Sequence, residues 1–135
     1  MSIFSGLEDI VSEQCPLANF TWYGLGGAVD YLIRPKNIDQ LRAVIQRCRD
    51  NDVPFRVLGY GSNLLVDDEG VRGAILKLDA EAFCGFEFEG TTLVAGAGAN
   101  LNKLVLDSVR KGLSGLEALT GIPGSVGGAV RMNAG

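Results

Sequence analysis

Clusters of glycine are the feature that most constrains how this chain folds. Nineteen of its 135 residues are glycine, about twice the usual share, and they gather at 24–27, 59–61, 96–98, 112–115 and 121–128. The clusters follow no fixed period, which argues against a low-complexity segment. Because glycine accepts left-handed backbone and lets another group approach without a Cβ in the way, we expect special backbone sites at these positions.

The rest of the composition is that of a soluble globular domain. Hydrophobic residues make up 47% and charged residues 21%, so neither disorder nor a fibrous structure is indicated. A net charge of −4 and a pI near 4.7 argue against nucleic acid as a partner, so any anionic ligand has to be held locally. The chain has no apolar run of membrane-spanning length and no basic leader, which predicts a cytoplasmic protein without a membrane partner.

Residues that usually carry metal or nucleophilic chemistry are scarce. The chain has no histidine, which removes every histidine-based triad, relay and zinc site. Cys15, Cys48 and Cys84 are widely separated and lack CxxC spacing, so buried or incidental thiols are favoured over disulfide, metal or nucleophile roles. We therefore predict no metal site.

Hydrophobic periodicity predicts a βαβ unit in the first half of the chain. A strand at 29–34 is stopped by Pro35, and a helix follows, with Asn37 as N-cap and Gln40 three residues on. The apolar face of this helix is formed by Ile38, Leu41, Val44, Ile45 and Cys48. Strands are predicted at 53–58 and 73–78. The first twenty residues show no clear repeat, and only a short amphipathic helix near 3–11 is suggested.

A change in the residue pattern near residue 83 predicts a second subdomain. Alternating Phe and Glu at 83–89, a turn at Gly90-Thr91 and a partner strand at 92–95 indicate a hairpin. A helix is predicted from about 101 to 111, ended by Gly112 at C′. Its apolar face is formed by Leu101, Leu104, Val105 and Val109.

The stretch VLGYGSNLLV, residues 57–66, places two glycines directly after a predicted strand. It is not a dinucleotide-binding GxGxxG loop, because Leu64 stands where the third glycine would be and no long helix follows. Converging amides could still form an anion nest, with Ser62 and Asn63 adding side-chain donors. A purely structural turn is the alternative.

The stretch GIPGSVGG, residues 121–128, is a second glycine loop. If a helical turn begins at Ser125, we expect its free amides to point outward and suit a phosphate. The alternative is close packing of backbone against backbone. Two such loops in one acidic chain fit a ligand with a diphosphate and a planar ring better than a single phosphate.

Six segments together resemble the UDP-N-acetylenolpyruvoylglucosamine reductases (MurB), which are flavoenzymes of peptidoglycan synthesis. The order and spacing match from about residue 16 to the last residue. The segments are TWYGLGG at 21–27, VLGYGSNLL at 57–65, AGAG at 95–98, KGLSGLE at 111–117, GIPGSVGG at 121–128 and MNAG at 132–135.

The resemblance implies an α+β protein with the FAD-binding fold of the vanillyl-alcohol oxidase (PCMH) type. It implies an N-terminal segment at 1–18, a small βαβ subdomain at 19–80 and an incomplete α+β subdomain at 81–135. By the same resemblance FAD lies between the two subdomains. The chain is then the truncated, amino-terminal part of the enzyme, and the substrate domain is absent.

The resemblance also implies which residues hold the cofactor. The first loop would wrap the FAD diphosphate, and the second loop with Asn133 would line the ribityl and isoalloxazine side. The predicted cofactor-binding residues are Leu58, Gly59, Tyr60, Gly61, Ser62, Asn63, Leu64, Gly121, Ile122, Pro123, Gly124, Ser125, Gly127, Gly128, Ala129 and Asn133.

The reaction that the resemblance implies has two halves. NADPH passes a hydride to the flavin, and the reduced flavin passes it to the enolpyruvyl group of a UDP-sugar, giving UDP-N-acetylmuramate. The family's catalytic serine, arginine and glutamate lie beyond Gly135, the last residue of the MNAG segment, so we expect no catalytic residue here. Neither Ser125 nor Arg131 takes that role. A free-standing flavin- or nucleotide-binding module is the alternative function.

Overall fold

The computed structural model describes residues 2–135, and a mixed four-stranded sheet forms their first half. Its strands, in the spatial order β1-β2-β4-β3, are β1 Val11–Pro16, β2 Ala28–Ile33, β4 Val71–Lys77 and β3 Phe55–Leu58. β4 pairs in parallel with both β2 and β3, and β1 pairs antiparallel to β2. The carboxyl ends of β3 and β4 therefore lie side by side at one edge of the sheet.

Helix α1, Ile38–Asp50, connects β2 to β3 and confirms the predicted βαβ unit. The Asn37 side chain accepts a hydrogen bond from the Gln40 amide at 2.9 Å, which confirms the predicted N-cap. Val44 and Cys48 are fully buried against the sheet, but Ile38 is 47% exposed, so the predicted apolar face is narrower at its start. The opposite face of the sheet packs on a second apolar cluster that includes Leu17, Val66 and Ile75.

The predicted helix near 3–11 is wrong. A short 3-10 helix, Glu8–Ile10, leads directly into β1, whose register on β2 runs from Val11↔Ile33 to Pro16↔Ala28. β1 is an edge strand with most of its side chains exposed, so its sequence does not show the alternation by which strands are recognised. Backbone pairing, which leaves little trace in a single sequence, determines this element.

A bulge in β4 is held by one carboxylate. The register between β2 and β4 shifts between Val29 and Tyr31, and Gly73 stands at the bulge with φ +97°. The Asp30 carboxylate accepts from the Gly73 amide at 2.9 Å and from Arg72 at 2.7 Å. These hydrogen bonds, that from Gly73 foremost, lower the pKa of Asp30. The bulge thereby sets the register of the rest of β4.

The second half contains a hairpin and three α-helices. These are α2 Glu81–Cys84, β5 Phe86–Glu89, β6 Thr92–Ala95, α3 Leu101–Arg110 and α4 Val126–Arg131. The predicted hairpin is confirmed, although its first strand begins at Phe86 because residues 83 and 84 complete α2 and bury Phe83. Gly112 follows the C-cap of α3 with φ +72°, as predicted for C′.

Val109 does not belong to the buried face of α3, contrary to prediction. It is 59% exposed, whereas Leu101, Leu104 and Val105 are buried as expected. Ser108 takes the inner position instead, because its hydroxyl donates to the Val105 carbonyl at 2.7 Å and so leaves no unsatisfied polar group.

Candidate functional site

A cavity of about 470 Å³ lies where the ends of β3 and β4 face α4. Both glycine loops line it, through residues 58–64 on one side and residues 122–125 and 127–129 on the other. Of the predicted cofactor residues, only Gly121 and Asn133 are not among the lining residues. The structure thus gathers two loops that are some sixty residues apart in the sequence around one space.

Gly135, the last residue of the MNAG segment, does not line the cavity either. Met132 and Ala134 of the same segment do. Gly135 has φ +119°, and a Cβ there would lie 3.2 Å from Cδ2 of Leu119, so this position packs against the 3-10 helix Glu117–Leu119. That the family's catalytic serine, arginine and glutamate lie beyond Gly135 stays a prediction.

The first loop, residues 59–63, keeps several backbone donors uncommitted. Within residues 2–135, the amides of Tyr60, Gly61, Ser62 and Asn63 donate to no other group of the protein. The Gly61 carbonyl, in contrast, accepts from the Trp22 amide at 3.0 Å, which ties the loop to the segment before β2. The loop is anchored through an acceptor while its donors stay free for an anionic ligand.

In the second loop the amides of Val126, Gly127 and Gly128 are not free, so the expectation of outward, unpaired amides at the start of α4 is wrong for these three residues. The Val126 amide donates to the Ala99 carbonyl at 2.9 Å, and the Gly127 amide donates to the Ala97 carbonyl at 2.8 Å. The Gly128 amide donates to the Ser125 hydroxyl, the N-cap, at 3.2 Å. The predicted helical turn is present, but backbone packs against backbone there.

Two contacts join the loops across the cavity. The Ser62 hydroxyl donates to the Pro123 carbonyl at 3.2 Å. Ser125, only 4% exposed, approaches Gly59 so closely that a Cβ at position 59 would lie 2.7 Å from its Oγ. The absence of a side chain at Gly59 is therefore a condition for this approach.

Several residues that line the cavity were not predicted from the sequence. Lys77, Leu78 and Asp79 enter from the end of β4, and Ala97 and Gly98 come from the turn before α3. The last two stand in the AGAG segment that contributed to the family resemblance. The remaining lining residues outside the predicted set are Val57, Arg131, Met132 and Ala134. Lys77 directly follows the four buried residues of β4. This lysine was the signal that could have indicated Lys77, Leu78 and Asp79 as lining residues.

Lys77 is the partly buried cation of the cavity wall. Its Nζ donates to the Gly59 carbonyl at 2.9 Å and lies 5.9 Å from the centre of the Phe20 ring. Burial lowers the pKa of Lys77, and the charge of Asp79 acts in the opposite direction. The Asp79 carboxylate is held by Arg34 through contacts of 2.7 and 3.3 Å.

The described part of the chain offers few residues for other kinds of functional site. Residues 2–135 hold no group of three or more His, Cys, Asp or Glu side chains placed to bind a metal ion. Their three cysteines are free, and burial raises the pKa of the Cys48 and Cys84 thiols. None of the helices in residues 2–135 combines the length and apolar character needed to cross a membrane.

A comparison with protein families identifies the type of domain. The family described as FAD binding domain matches residues 29–135, which include both loops. The chain belongs to the FAD binding domain family. The fold is the FAD-binding fold of the vanillyl-alcohol oxidase type that the sequence predicted, and FAD is the cofactor of such a domain.

Relatives of this FAD-binding domain have a common function. The chain is 46% identical, over 92% of its length, to a UDP-N-acetylenolpyruvoylglucosamine reductase of Rhodopirellula baltica, and 47% identical over 89% to that of Bacillus subtilis. The crystal structure of UDP-N-acetylenolpyruvylglucosamine reductase (MurB) from Thermus caldophilus matches 93% of the chain with a TM-score of 0.71 and 41% identity. The resemblance noted in the sequence is confirmed.

The chain spans about two fifths of the length of the relatives that it matches. The matched part is 41% of the Rhodopirellula baltica protein, 39% of the Bacillus subtilis protein and 42% of the crystallised chain. The shared part is the FAD-binding portion.

The cavity fits FAD on two structural observations. Uncommitted amides at 60–63 offer hydrogen bonds to phosphate oxygens. Its volume also falls within the roughly 300–1,000 Å³ that small-molecule sites occupy.

Proposed function

We propose that the chain supplies the FAD site of a reductase that converts UDP-N-acetylglucosamine enolpyruvate to UDP-N-acetylmuramate in peptidoglycan synthesis. The single observation that carries the proposal is the shared cavity, in which free amides of one glycine loop face a second, rigidly packed loop. The relatives bearing this reductase name are 41–47% identical to the chain, which supports the same parent activity.

The two loops take different roles in this proposal. Residues 58–64 hold the diphosphate through backbone amides and the Ser62 and Asn63 side chains. Residues 121–125 and 127–129, with Asn133, support the ribityl chain and the flavin ring. Gly121 and Asn133 have positive φ values of +80° and +50° and act by shaping the segment rather than by lining the cavity.

Bound FAD supplies the hydride-transfer chemistry, and the residues of this chain bind and orient it. We propose NADPH as the hydride donor and the UDP-sugar as the acceptor, with the proton-donating acid provided by the remainder of the parent protein, beyond Gly135. We also propose the division into a segment at 1–18 and subdomains at 19–80 and 81–135. A cytoplasmic location and a role in cell shape and division follow from the proposed pathway.

Titration of the purified chain with FAD tests the cofactor assignment. We expect saturable binding, seen as a change in flavin fluorescence or absorption. Gly59→Ala should weaken it because the new methyl group meets the Ser125 hydroxyl, whereas Gly85→Ala is a matched control with open space around its Cβ position. A chain that binds no FAD, or two variants with equal affinity, would contradict the assignment.

Turnover measurements separate the reductase from a free-standing module. The chain alone, with FAD, NADPH and the enolpyruvyl UDP-sugar, should oxidise no NADPH, while the parent protein should. Turnover by the chain alone would refute the proposal that the rest of the parent protein provides the proton-donating acid. FAD binding without turnover in the parent protein would favour the module.

A further inference from the structure

Lys77 lines two cavities of the protein. As the last residue of β4 it lines the main cavity, and it also lines a second, more open space of about 410 Å³ that includes Phe20 and Trp22. Tyr60 of the first glycine loop lines both spaces as well. Lys77 also contacts the first residue of the loop whose amides are uncommitted, through its hydrogen bond to the Gly59 carbonyl.

The hydrogen bonds of Lys77 leave it with unused capacity. An ammonium group has three N–H donors, and one of them holds the Gly59 carbonyl. No other hydrogen bond from Lys77 Nζ occurs within residues 2–135, and the Phe20 ring accounts for one further side. By holding the Gly59 carbonyl in place, Lys77 also fixes the start of the segment 60–63, whose amides are uncommitted.

Lys77 is one of two cationic residues that line the cavity. Arg131 is the only other cationic residue among those that line the cavity, and it is exposed on α4. The lining carboxylate, Asp79, is already paired with Arg34. In a chain with a net charge of −4, a diphosphate thus meets one half-buried cation and one solvent-screened cation.

We propose that Lys77 binds the diphosphate of the dinucleotide cofactor electrostatically and positions the 59–63 loop that wraps it. The assignment rests on the proposed FAD site and extends it to a residue outside both glycine motifs. Desolvation strengthens the interaction of Lys77 with an anion, because a half-buried ammonium is less screened than one in water.

FAD affinity at two salt concentrations tests the proposal on the purified chain. We expect Lys77→Met to raise the Kd of FAD by about tenfold or more in low salt, the size typical of a charge-assisted hydrogen bond. At high salt the difference should shrink, because salt weakens the electrostatic part of binding in the unsubstituted chain. Lys77→Arg, which retains the charge, should keep most of the affinity and the salt response.

Two further variants separate charge from local structure. Lys77→Gln retains an N–H donor without the charge, so we expect the same weakened salt response as for Lys77→Met. Lys103→Met is the matched control, because Lys103 also lies over a phenylalanine ring, 5.8 Å from the centre of Phe86, but does not line the cavity. It should bind FAD as the unsubstituted chain does.

The outcomes distinguish this proposal from the one on which it rests. Equal FAD affinity for Lys77→Met and the unsubstituted chain would overturn the Lys77 assignment alone, as would a loss of affinity of the same size at both salt concentrations. Absence of FAD binding by the unsubstituted chain would overturn the proposed FAD site and the Lys77 assignment with it.

Discussion

At the residue scale, two glycines with nearly the same backbone angle have very different surroundings. Gly61 has φ +70° and Gly112 has φ +72°, so any other residue is strained at both positions. A Cβ on Gly112 would meet nothing within 4 Å, whereas a Cβ on Gly61 would overlap the Phe20 carbonyl and lie 2.8 Å from the Thr21 Cα. Gly112 serves a helix end, and Gly61 serves the approach of two backbone segments.

Alanine at these two positions should separate strain from overlap. We expect Gly112→Ala to lower the free energy of unfolding by about 1 kcal/mol, which is the cost of the left-handed backbone alone. Gly61→Ala should cost clearly more, since the backbone at Phe20 has to move, and should also disturb the first loop. Urea unfolding of both variants measures the difference. Equal losses in the free energy of unfolding would mean that the backbone of residues 20–21 can move at no cost.

Most residues of the candidate site were predictable because glycine loops show themselves in sequence. The missing side chain is visible in the sequence, as at Gly59, although the contact with Ser125 that it allows joins distant segments. Lys77 and Asp79 were not predictable from local rules. They reach the cavity only because β4 lies beside β3 in the sheet, and a single sequence does not state which strands are neighbours.

At the element scale, α1 and α3 begin in the same way. The Asn37 and Asn100 side chains each accept from the amide three residues on, both at 2.9 Å. Asn100 has a second duty, because it forms an isolated bridge with Ser125, and the Leu101 amide donates to the Gly124 carbonyl at 3.1 Å. The start of α3 thus supports the second glycine loop.

Loss of the cap on α3 should therefore reach beyond the helix. Asn100→Ala should lower the free energy of unfolding by about 1 kcal/mol, the usual cost of losing an N-cap. Asn102→Ala, on the exposed face of the same helix, should leave it unchanged within about 0.5 kcal/mol. Thermal or urea unfolding of the two variants provides the comparison. A loss for Asn102→Ala as large as for Asn100→Ala would contradict the capping role.

The helix with the strongest periodicity was predicted correctly, whereas the edge strand β1 and the hydrogen bonding at the start of α4 were not. The helix at Ile38–Asp50 carries its cap and its apolar spacing in the sequence. The strand at Val11–Pro16 was missed because its stability comes from pairing with β2. The expectation of free amides at the start of α4 was wrong because two of them donate to the carbonyls of Ala97 and Ala99. These hydrogen bonds join distant segments.

At the scale of the whole molecule, the two halves are unequally supported. Both apolar clusters lie within residues 4–76, on the two faces of the four-stranded sheet. The second half buries fewer apolar side chains, among them Phe83, Leu101 and Leu104, and leaves Val130 and Met132 of the α4 region exposed. We therefore expect a gradient of local stability that a ligand between the two loops would reduce.

Hydrogen exchange followed by mass spectrometry should reveal this gradient. Without FAD, amides of the second half should exchange faster than those of β2 and β4. With FAD, exchange should slow at residues 59–64 and 122–132, and α1 serves as the internal control because it does not line the cavity. Slowing of equal size in α1 would indicate global stabilisation and would contradict ligand contact at the two loops.

The approach of Gly59 to Ser125 has a consequence for how the sequence can vary. The Ser125 hydroxyl caps α4 and at the same time fills the space that a side chain at position 59 would need. The two positions are therefore constrained jointly, although they are 66 residues apart. A relative with a side chain at the first position should carry a smaller residue at the second, so the pair should covary across the family.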